Sequence, residues 1–157
     1  PAEEGMGTAE MVEAARDGKV RALVIVGSDI ASPSPMREAV LEALYRVPFI
    51  VALSPTAGVG IEYASHVHMP TASFVEEEGV YVSADGRLTL ARGTRTAKGA
   101  LRAWEALSRL LSATGVGRAY SSAKDIWDEL RRLDSRLSSA SYDSIASGEV
   151  RVSLRRA

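Results

Sequence analysis

A chain of 157 residues with 46% hydrophobic and 25% charged residues is long enough to bury one ordinary core, so we expect one domain-sized unit. Its net charge of -1 gives no indication of a nucleic-acid partner, and the absence of cysteine excludes disulfides, thiol catalysis and iron–sulfur ligation by this segment. A reducing, cytoplasmic location is the default expectation for a chain without cysteine. No apolar run reaches the roughly 20 residues that a membrane span needs, so we predict no direct membrane insertion.

The first part of the chain alternates helical and strand patterns. A helix with Thr8 as N-cap and Gly18 as its left-handed stop precedes an aliphatic run at 20–27, which is typical of a strand buried on both faces. A second helix is predicted with Ser34 as N-cap, and a second buried strand follows at 48–53. Strand, helix, strand is a βαβ unit, which predicts a mostly parallel sheet with helices on both faces.

The second part contains a loop rich in Gly, Ser and Pro, then a short strand and two amphipathic helices. The helices are predicted at 97–111 and at 121–133, where Ser122 and Asp125 form a capping box. We predict an α/β fold, a Rossmann-like three-layer domain over 1–118. The C-terminal helix and extended tail at 119–157 would pack on it.

The end of the first predicted strand is the candidate binding site. Gly27, Ser28 and Asp29 lie at its carboxyl end, where open α/β sheets bind ligands, and the next helix directs its positive terminus there. The carboxylate favours paired N–H donors, such as a guanine or pterin edge, or a ribose hydroxyl, and Ser32 and Ser34 would complete the loop. The alternative is that Gly27 makes a tight turn and Asp29 is an Asx-turn residue.

Two histidines form a weaker pattern. His66 and His68 would face the same side of a strand, as metal ligands often do, and Glu62 precedes them. The set lacks a fourth ligand, so packing or surface histidines are favoured and no metal site is predicted.

The acidic run at 76–78 raises the question of general acid–base catalysis. Adjacent carboxylates raise each other's pKa only when they are buried, and a solvated turn is the usual place for such a run. The chain also lacks a Walker loop, and the Gly-Val-Gly at 58–60 lacks the third glycine of a dinucleotide-binding turn. We therefore predict no catalytic residue.

Four segments resemble one protein family in their order along the chain. They are MVEAARDGKVRALVIVGSD at 11–29, ASHVHMPTASFVEEEGVYVSADGRLTLARG at 64–93, LRAWEALSRLLSATG at 101–115 and SAKDIWDELRRL at 122–133. This order resembles the later part of the molybdopterin-domain region in molybdenum or tungsten oxidoreductases. The branches that it resembles are formate dehydrogenase catalytic subunits and the large iron–sulfur subunit of NADH:quinone oxidoreductase.

Individual positions both match and depart from the family pattern, in which a strand ending G-E-N-P and a later A-D-V-V-L-P precede F-x-E-x-x-G-T-F-x-N-x-E-G-R-V-Q. The matching residues are Phe74, Glu76, Gly79, Tyr81, Gly86 and Arg87. The departures are Asp29 and Ile30 for the family's Asn-Pro, His66 for an Asp, Ser83 for an Asn and Thr89 for a Gln. Loss of such polar groups is what we expect of a fold that is kept as a scaffold while its cofactor site decays.

The resemblance implies a fragment of an oxidoreductase large subunit that works in electron transfer and is not catalytic alone. It places Gly27, Ser28 and Asp29 beside the guanine dinucleotide end of a molybdopterin guanine dinucleotide cofactor, with iron–sulfur clusters only in the rest of the parent chain. The implied partners are the remaining domains of that chain and other subunits of a redox complex peripheral to the inner membrane. The alternatives are a noncatalytic scaffold and docking module of a respiratory complex, or a separate nucleotide-binding domain. The first residue, Pro1, agrees with a piece of a longer protein.

Overall fold

The computed structural model describes residues 5–32, 34–56, 59–115, 117, 119–148 and 150–152. It separates into two compact units, the first ending at Thr71 and the second beginning at Ala72. The predicted division between residues 118 and 119 falls inside the second unit and stays a prediction.

The first unit alternates helices with the strands of a parallel sheet. Its elements in chain order are α1 (Thr8–Arg16), β1 (Leu23–Val26), α2 (Arg37–Tyr45), β2 (Ile50–Ser54), α3 (Val59–Ala64) and β3 (Val67–Pro70). The strands lie in the order β1-β2-β3, and each neighbouring pair is parallel. The predicted α/β class with a parallel sheet is confirmed.

The core of the first unit lies between its helices and one face of its sheet. Because side chains alternate along a strand, Ile25, Ile50 and Ala52 point to the same face. They form one buried cluster with residues of all three helices: Ala15, Val40, Ala43, Leu44, Ile61 and Ala64. Right-handed crossovers that advance in one direction along a sheet place their helices on the same face, which explains why α2 and α3 share this core. The helix α1 precedes the first strand and packs against α2.

Both predicted N-caps of the first unit are wrong. The N-cap of α1 is Gly7, whose N–H donates to the Glu10 carboxylate at 2.7 Å, so Thr8 is already helical. The N-cap of α2 is Met36. The hydroxyl of Ser34 accepts from the Met36 N–H at 3.1 Å, a local turn that competes with the helix and delays its start.

The second unit combines a small antiparallel sheet with helices. Its elements are β4 (Glu78–Val82), β5 (Arg87–Arg92), α4 (Ala103–Thr114), α5 (Ala123–Leu133), a 3-10 turn (Ser135–Leu137), α6 (Tyr142–Ser147) and β6 (Val150–Arg151). The strand order is β4-β5-β6, and both pairs are antiparallel. Both predicted helices are confirmed, and Ser122 caps α5 by accepting from the Asp125 N–H at 3.1 Å. Within the described ranges, no helix combines the length and the apolar composition that crossing a bilayer requires.

Trp127 forms the centre of the core of the second unit. It is buried with Leu88, Tyr142 and Ile145, and its indole Nε1–H donates to the Ala140 carbonyl oxygen at 2.8 Å. Trp127 is therefore a core residue of this unit.

Candidate cofactor-binding site

The chain leaves β1 through a glycine in the left-handed region. Gly27 has φ of 71°, and its N–H donates to the Leu53 carbonyl at 2.7 Å, which ties the end of β1 to the end of β2. A residue with a Cβ would cost about 1–2 kcal/mol in this conformation. The space around this position is open, because a Cβ on Gly27 would meet nothing within 4 Å. Gly27 therefore makes the turn that carries Ser28 and Asp29 to the carboxyl edge of the sheet.

The Asp29 carboxylate is the centre of this loop. Its Oδ1 accepts from the N–H groups of Ala31 at 3.1 Å and Ser32 at 3.2 Å, and its Oδ2 accepts from the Ser32 hydroxyl. The N–H of Gly60 is a further donor. A carboxylate has about four acceptor positions, so these four donors match its capacity. The geometry agrees with the Asx-turn interpretation, and direct contact of Asp29 with a cofactor stays a prediction.

Opposing effects act on the pKa of Asp29. Partial burial alone would raise this pKa, but the hydrogen bonds from the Ser32 hydroxyl and from the N–H groups of Ser32, Ala31 and Gly60 together outweigh it. The pKa of Asp29 is therefore lowered, and the side chain is a carboxylate at neutral pH. A fixed negative charge opposes a phosphate in contact with Asp29 and favours hydroxyl or N–H groups there.

The start of α3 lies directly against this loop at Gly60. A Cβ on Gly60 would lie 2.6 Å from the Ala31 Cβ and 3.0 Å from Asp29 Oδ1. Only glycine permits such an approach, and the close backbone is what lets its N–H reach the carboxylate. Sequence reasoning missed Gly60, because it tested the glycines at 58–60 only as a phosphate-binding turn. The sequence feature that could have indicated Gly60 is a glycine in a short helical pattern directly after a strand.

The three candidate serines differ in what their hydroxyls do. The Ser32 hydroxyl donates to the Asp29 carboxylate and the Ser34 hydroxyl accepts from the Met36 N–H, so both are engaged in local hydrogen bonds. Ser28 is exposed, and no hydrogen bond to its hydroxyl occurs within the described part of the chain. It also lines an apolar cavity of about 180 Å³, together with residues of α1, β1 and α2. Ser28 is thus the predicted site residue whose polar group is available to a ligand.

Two further polar residues lie at the same edge of the sheet. Ser54 ends β2 and Thr71 follows β3, and both are buried. The Ser54 hydroxyl donates to the Thr56 carbonyl at 2.8 Å, and the Thr71 N–H donates to the Ser54 carbonyl at 3.1 Å. These bonds determine where the strands end. Sequence reasoning missed both residues, since a single hydroxyl after an apolar strand carries no motif.

The two histidines have different positions relative to β3. His66 precedes β3, its Nδ1 accepts from the Ile50 N–H at 3.1 Å, and its ring contacts Phe49 with centroids 5.8 Å apart. Only His68 lies on the strand, and the Glu62 side chain is outside the described part. The described side chains include no group of three metal-binding residues. His66 has the packing role that the sequence favoured.

The first glutamate of the acidic run joins two loops of the second unit. Its Oε2 accepts from the Ser73 N–H at 2.8 Å and hydroxyl at 2.7 Å, and its Oε1 accepts from the Ala97 N–H at 2.9 Å. These bonds lower the pKa of Glu76, the Ser73 hydroxyl being the main cause. Glu76 is therefore a structural acceptor.

The next two glutamates reach other elements. Glu77 Oε1 accepts from the Ala103 N–H at 2.6 Å, which satisfies a free donor at the start of α4. Burial raises the pKa of Glu77, although the Ala103 N–H and the positive charge of Arg102 act in the opposite direction. Glu78 accepts from the Tyr142 hydroxyl at 3.3 Å. The acidic run therefore connects four segments of this unit.

Comparison with known proteins relates this fold to redox enzymes. The profile of the molybdopterin oxidoreductase family matches residues 2–113. The chain is 36% identical over 151 residues to the assimilatory nitrate reductase catalytic subunit of Bacillus subtilis (strain 168), covering 94% of this chain and 21% of that protein. It is 28% identical over 150 residues to formate dehydrogenase H of Escherichia coli (strain K12), covering 92% and 20%. It is 29% identical over 135 residues to the NADPH-Fe(3+) oxidoreductase subunit alpha of Geobacter sulfurreducens, covering 85% and 16%.

The matches cover most of this chain but only a small part of each relative. The chain spans about a fifth of the length of the nitrate reductase and of formate dehydrogenase H. The family profile covers well over half of the chain. The chain therefore belongs to the molybdopterin oxidoreductase family.

Proposed function

We propose that this chain is a segment of the large subunit of a molybdopterin-dependent electron-transfer oxidoreductase, and that its loop at 27–34 lies at the guanine dinucleotide end of the cofactor. The observation that carries the proposal is the loop at the carboxyl edge of a parallel sheet, where such sheets bind ligands. Its shape is maintained by the hydrogen bonds to Asp29, so the loop is organised before any ligand binds. When bound, the cofactor supplies the metal at which electrons are exchanged with the substrate.

The residues of the loop fit a polar group that carries hydroxyl or N–H donors. Gly27 leaves open space where other residues have a Cβ, so a ligand can approach the backbone. The exposed Ser28 hydroxyl can donate to it or accept from it. Asp29, whose oxygens are engaged by the chain itself, acts as a positioning residue for its neighbours and keeps a negative charge close to them.

The first substrate to test is nitrate. Identity to the nitrate reductase is 36%, against 28% to formate dehydrogenase H, so the comparison favours nitrate over formate for the whole enzyme. Assay of the full-length parent protein with both substrates and an artificial electron carrier separates them.

A specific observation favours a second candidate, a noncatalytic scaffold of a respiratory complex of the NADH:quinone oxidoreductase type. The engaged Asp29 carboxylate needs no cofactor to satisfy it, as expected of a site that keeps its fold after losing its ligand. Elemental mass spectrometry for molybdenum and tungsten, with oxidised-pterin fluorescence, decides between the two. Near-stoichiometric metal and pterin in the parent protein supports the enzyme, and their absence from protein that keeps its iron supports the scaffold.

The loop assignment has its own test, the substitution Ser28→Ala in the parent protein. We expect a loss of bound guanine dinucleotide, measured as GMP released by acid hydrolysis, with an unchanged melting temperature, because the Ser28 hydroxyl makes no hydrogen bond within the described part of the chain. The matched control is Ser112→Ala, which removes an exposed hydroxyl from α4. Equal GMP content in both variants and the unsubstituted protein would place the cofactor away from Ser28.

A further inference from the structure

Thr71, the last residue of the first unit, is buried with a free hydroxyl. It directly follows β3 and is 5% exposed, and its N–H donates to the Ser54 carbonyl oxygen at 3.1 Å. Among the residues that the structure describes, none makes a hydrogen bond to the Thr71 hydroxyl, whose oxygen is not fully enclosed. A buried hydroxyl without a partner costs about 1–3 kcal/mol, so a ligand or an ordered water is expected there.

The hydroxyls of Thr71 and Ser28 lie at the ends of the two outer strands of the parallel sheet. Between them, at the end of β2, the Ser54 hydroxyl donates to the Thr56 carbonyl oxygen at 2.8 Å and is engaged. Neighbouring strands are about 4.8 Å apart, so the ends of β1 and β3 are about 10 Å apart. A ligand that contacts both Ser28 and Thr71 must therefore extend across the carboxyl edge of the sheet.

The charge differs along this edge. The Asp29 carboxylate follows β1, and its negative charge opposes a phosphate there. The residues that directly follow β2 and β3 are uncharged, namely Pro55, Thr56, Thr71 and Ala72. A phosphate is therefore better accommodated at the end of β3 than at the end of β1.

We infer that the Thr71 hydroxyl donates a hydrogen bond to a phosphate oxygen of the guanine dinucleotide, while Ser28 contacts its nucleoside end. The inference rests on the proposed function, because it needs a cofactor at the carboxyl edge of this sheet. A nucleotide has the required extended form, since its ribose separates the base from the phosphates. A hydrogen bond to an ionised acceptor is roughly twice as strong as one between neutral groups, and it gives the buried hydroxyl its partner.

Replacing the hydroxyl by a methyl group in the full-length parent protein tests the inference. Thr71→Val keeps the branched shape and removes the donor, Thr71→Ser keeps the donor, and Thr71→Ala is a second variant without it. The rate of cofactor release after dilution is measured as GMP in the acid-hydrolysed filtrate, and the melting temperature of the cofactor-free protein is measured separately. The matched control is Thr89→Val, which removes an exposed hydroxyl from β5.

The two variants without the donor should release the cofactor roughly 10- to 100-fold faster than the unsubstituted protein, because one hydrogen bond to a charged group is lost. Thr71→Ser and Thr89→Val should release it at the unsubstituted rate. The cofactor-free Thr71→Val protein should melt at an equal or higher temperature, since it no longer buries an unpaired hydroxyl. A purely structural role of the hydroxyl would lower that temperature.

Unchanged release from Thr71→Val and Thr71→Ala would overturn the inference and leave water as the partner of the hydroxyl. A lower melting temperature of cofactor-free Thr71→Val would overturn it as well. If the unsubstituted protein contained neither GMP nor pterin, the inference would fail together with the proposed function. Normal GMP and pterin content with unchanged release would reject the role of Thr71 alone, so the two failures are distinguishable.

Discussion

Gly60→Ala is the substitution that most directly tests how the loop is held. Its new methyl would lie 2.6 Å from the Ala31 Cβ, whereas two carbon atoms in contact normally lie about 3.5–4.0 Å apart, so the overlap is about 1 Å. Neither Cβ can rotate away, and Ala31 is fully buried. Overpacking of this kind costs about 1–3 kcal/mol, and the better helix propensity of alanine returns about 1 kcal/mol. Because both groups are fixed, we expect the upper part of this range and a net loss of about 2 kcal/mol in the free energy of unfolding.

The assay is urea unfolding of the Gly60→Ala variant, of Ala31→Gly and of the double variant. Removing the Ala31 methyl frees the space that the new methyl needs, so the double variant should be more stable than the sum of the single changes predicts, by about 1–2 kcal/mol. In the full-length protein, Gly60→Ala should also release the cofactor, and Ala31→Gly should partly restore it. An unchanged or increased stability of Gly60→Ala, or strict additivity of the two changes, would refute the close approach of α3 to the loop.

Three further predictions concern named side chains. The lowered pKa of Asp29 adds stability that is present above the unfolded pKa of about 4 and is lost as pH falls through the folded pKa. Asp29→Asn should therefore flatten the decline of the unfolding free energy between about pH 5 and pH 3. An equally steep decline in the variant contradicts this. The raised pKa of Glu77 has the opposite effect, because stability is lost as pH rises through the folded pKa. Glu77→Gln should keep the hydrogen bond from the Ala103 N–H and unfold at an equal or higher temperature at about pH 7, whereas Glu77→Ala should lose about 1 kcal/mol of unfolding free energy. A Gln variant as unstable as the Ala variant would be inconsistent with this. Trp127→Phe leaves the buried Ala140 carbonyl without its donor and should cost about 1–3 kcal/mol in urea unfolding, and a loss below about 0.5 kcal/mol would argue against that bond.

Local patterns were enough to predict the main elements. The aliphatic runs that became β1 and β2 and the apolar spacing that became α4 and α5 are properties of neighbouring residues, so they are visible in the sequence. The order of segments along the chain also indicated the family, which the profile match confirms. The starts of α1 and α2 were missed by one and two residues, because a cap depends on which of several nearby acceptors takes the free N–H groups.

The sequence by itself determined the α/β class, the parallel orientation of the strands in a βαβ unit and the membership of the family, because periodicity and residue order carry these features. Only the tertiary structure decided what Asp29, Glu76 and Gly60 do. The donors to Asp29 include an N–H from α3, and the donors to Glu76 include one 21 residues away, and such distant partners leave no local pattern. The tertiary structure also decided that Val24 and Val26 are exposed whereas Ile25 between them is buried, since exposure depends on where the helices pack.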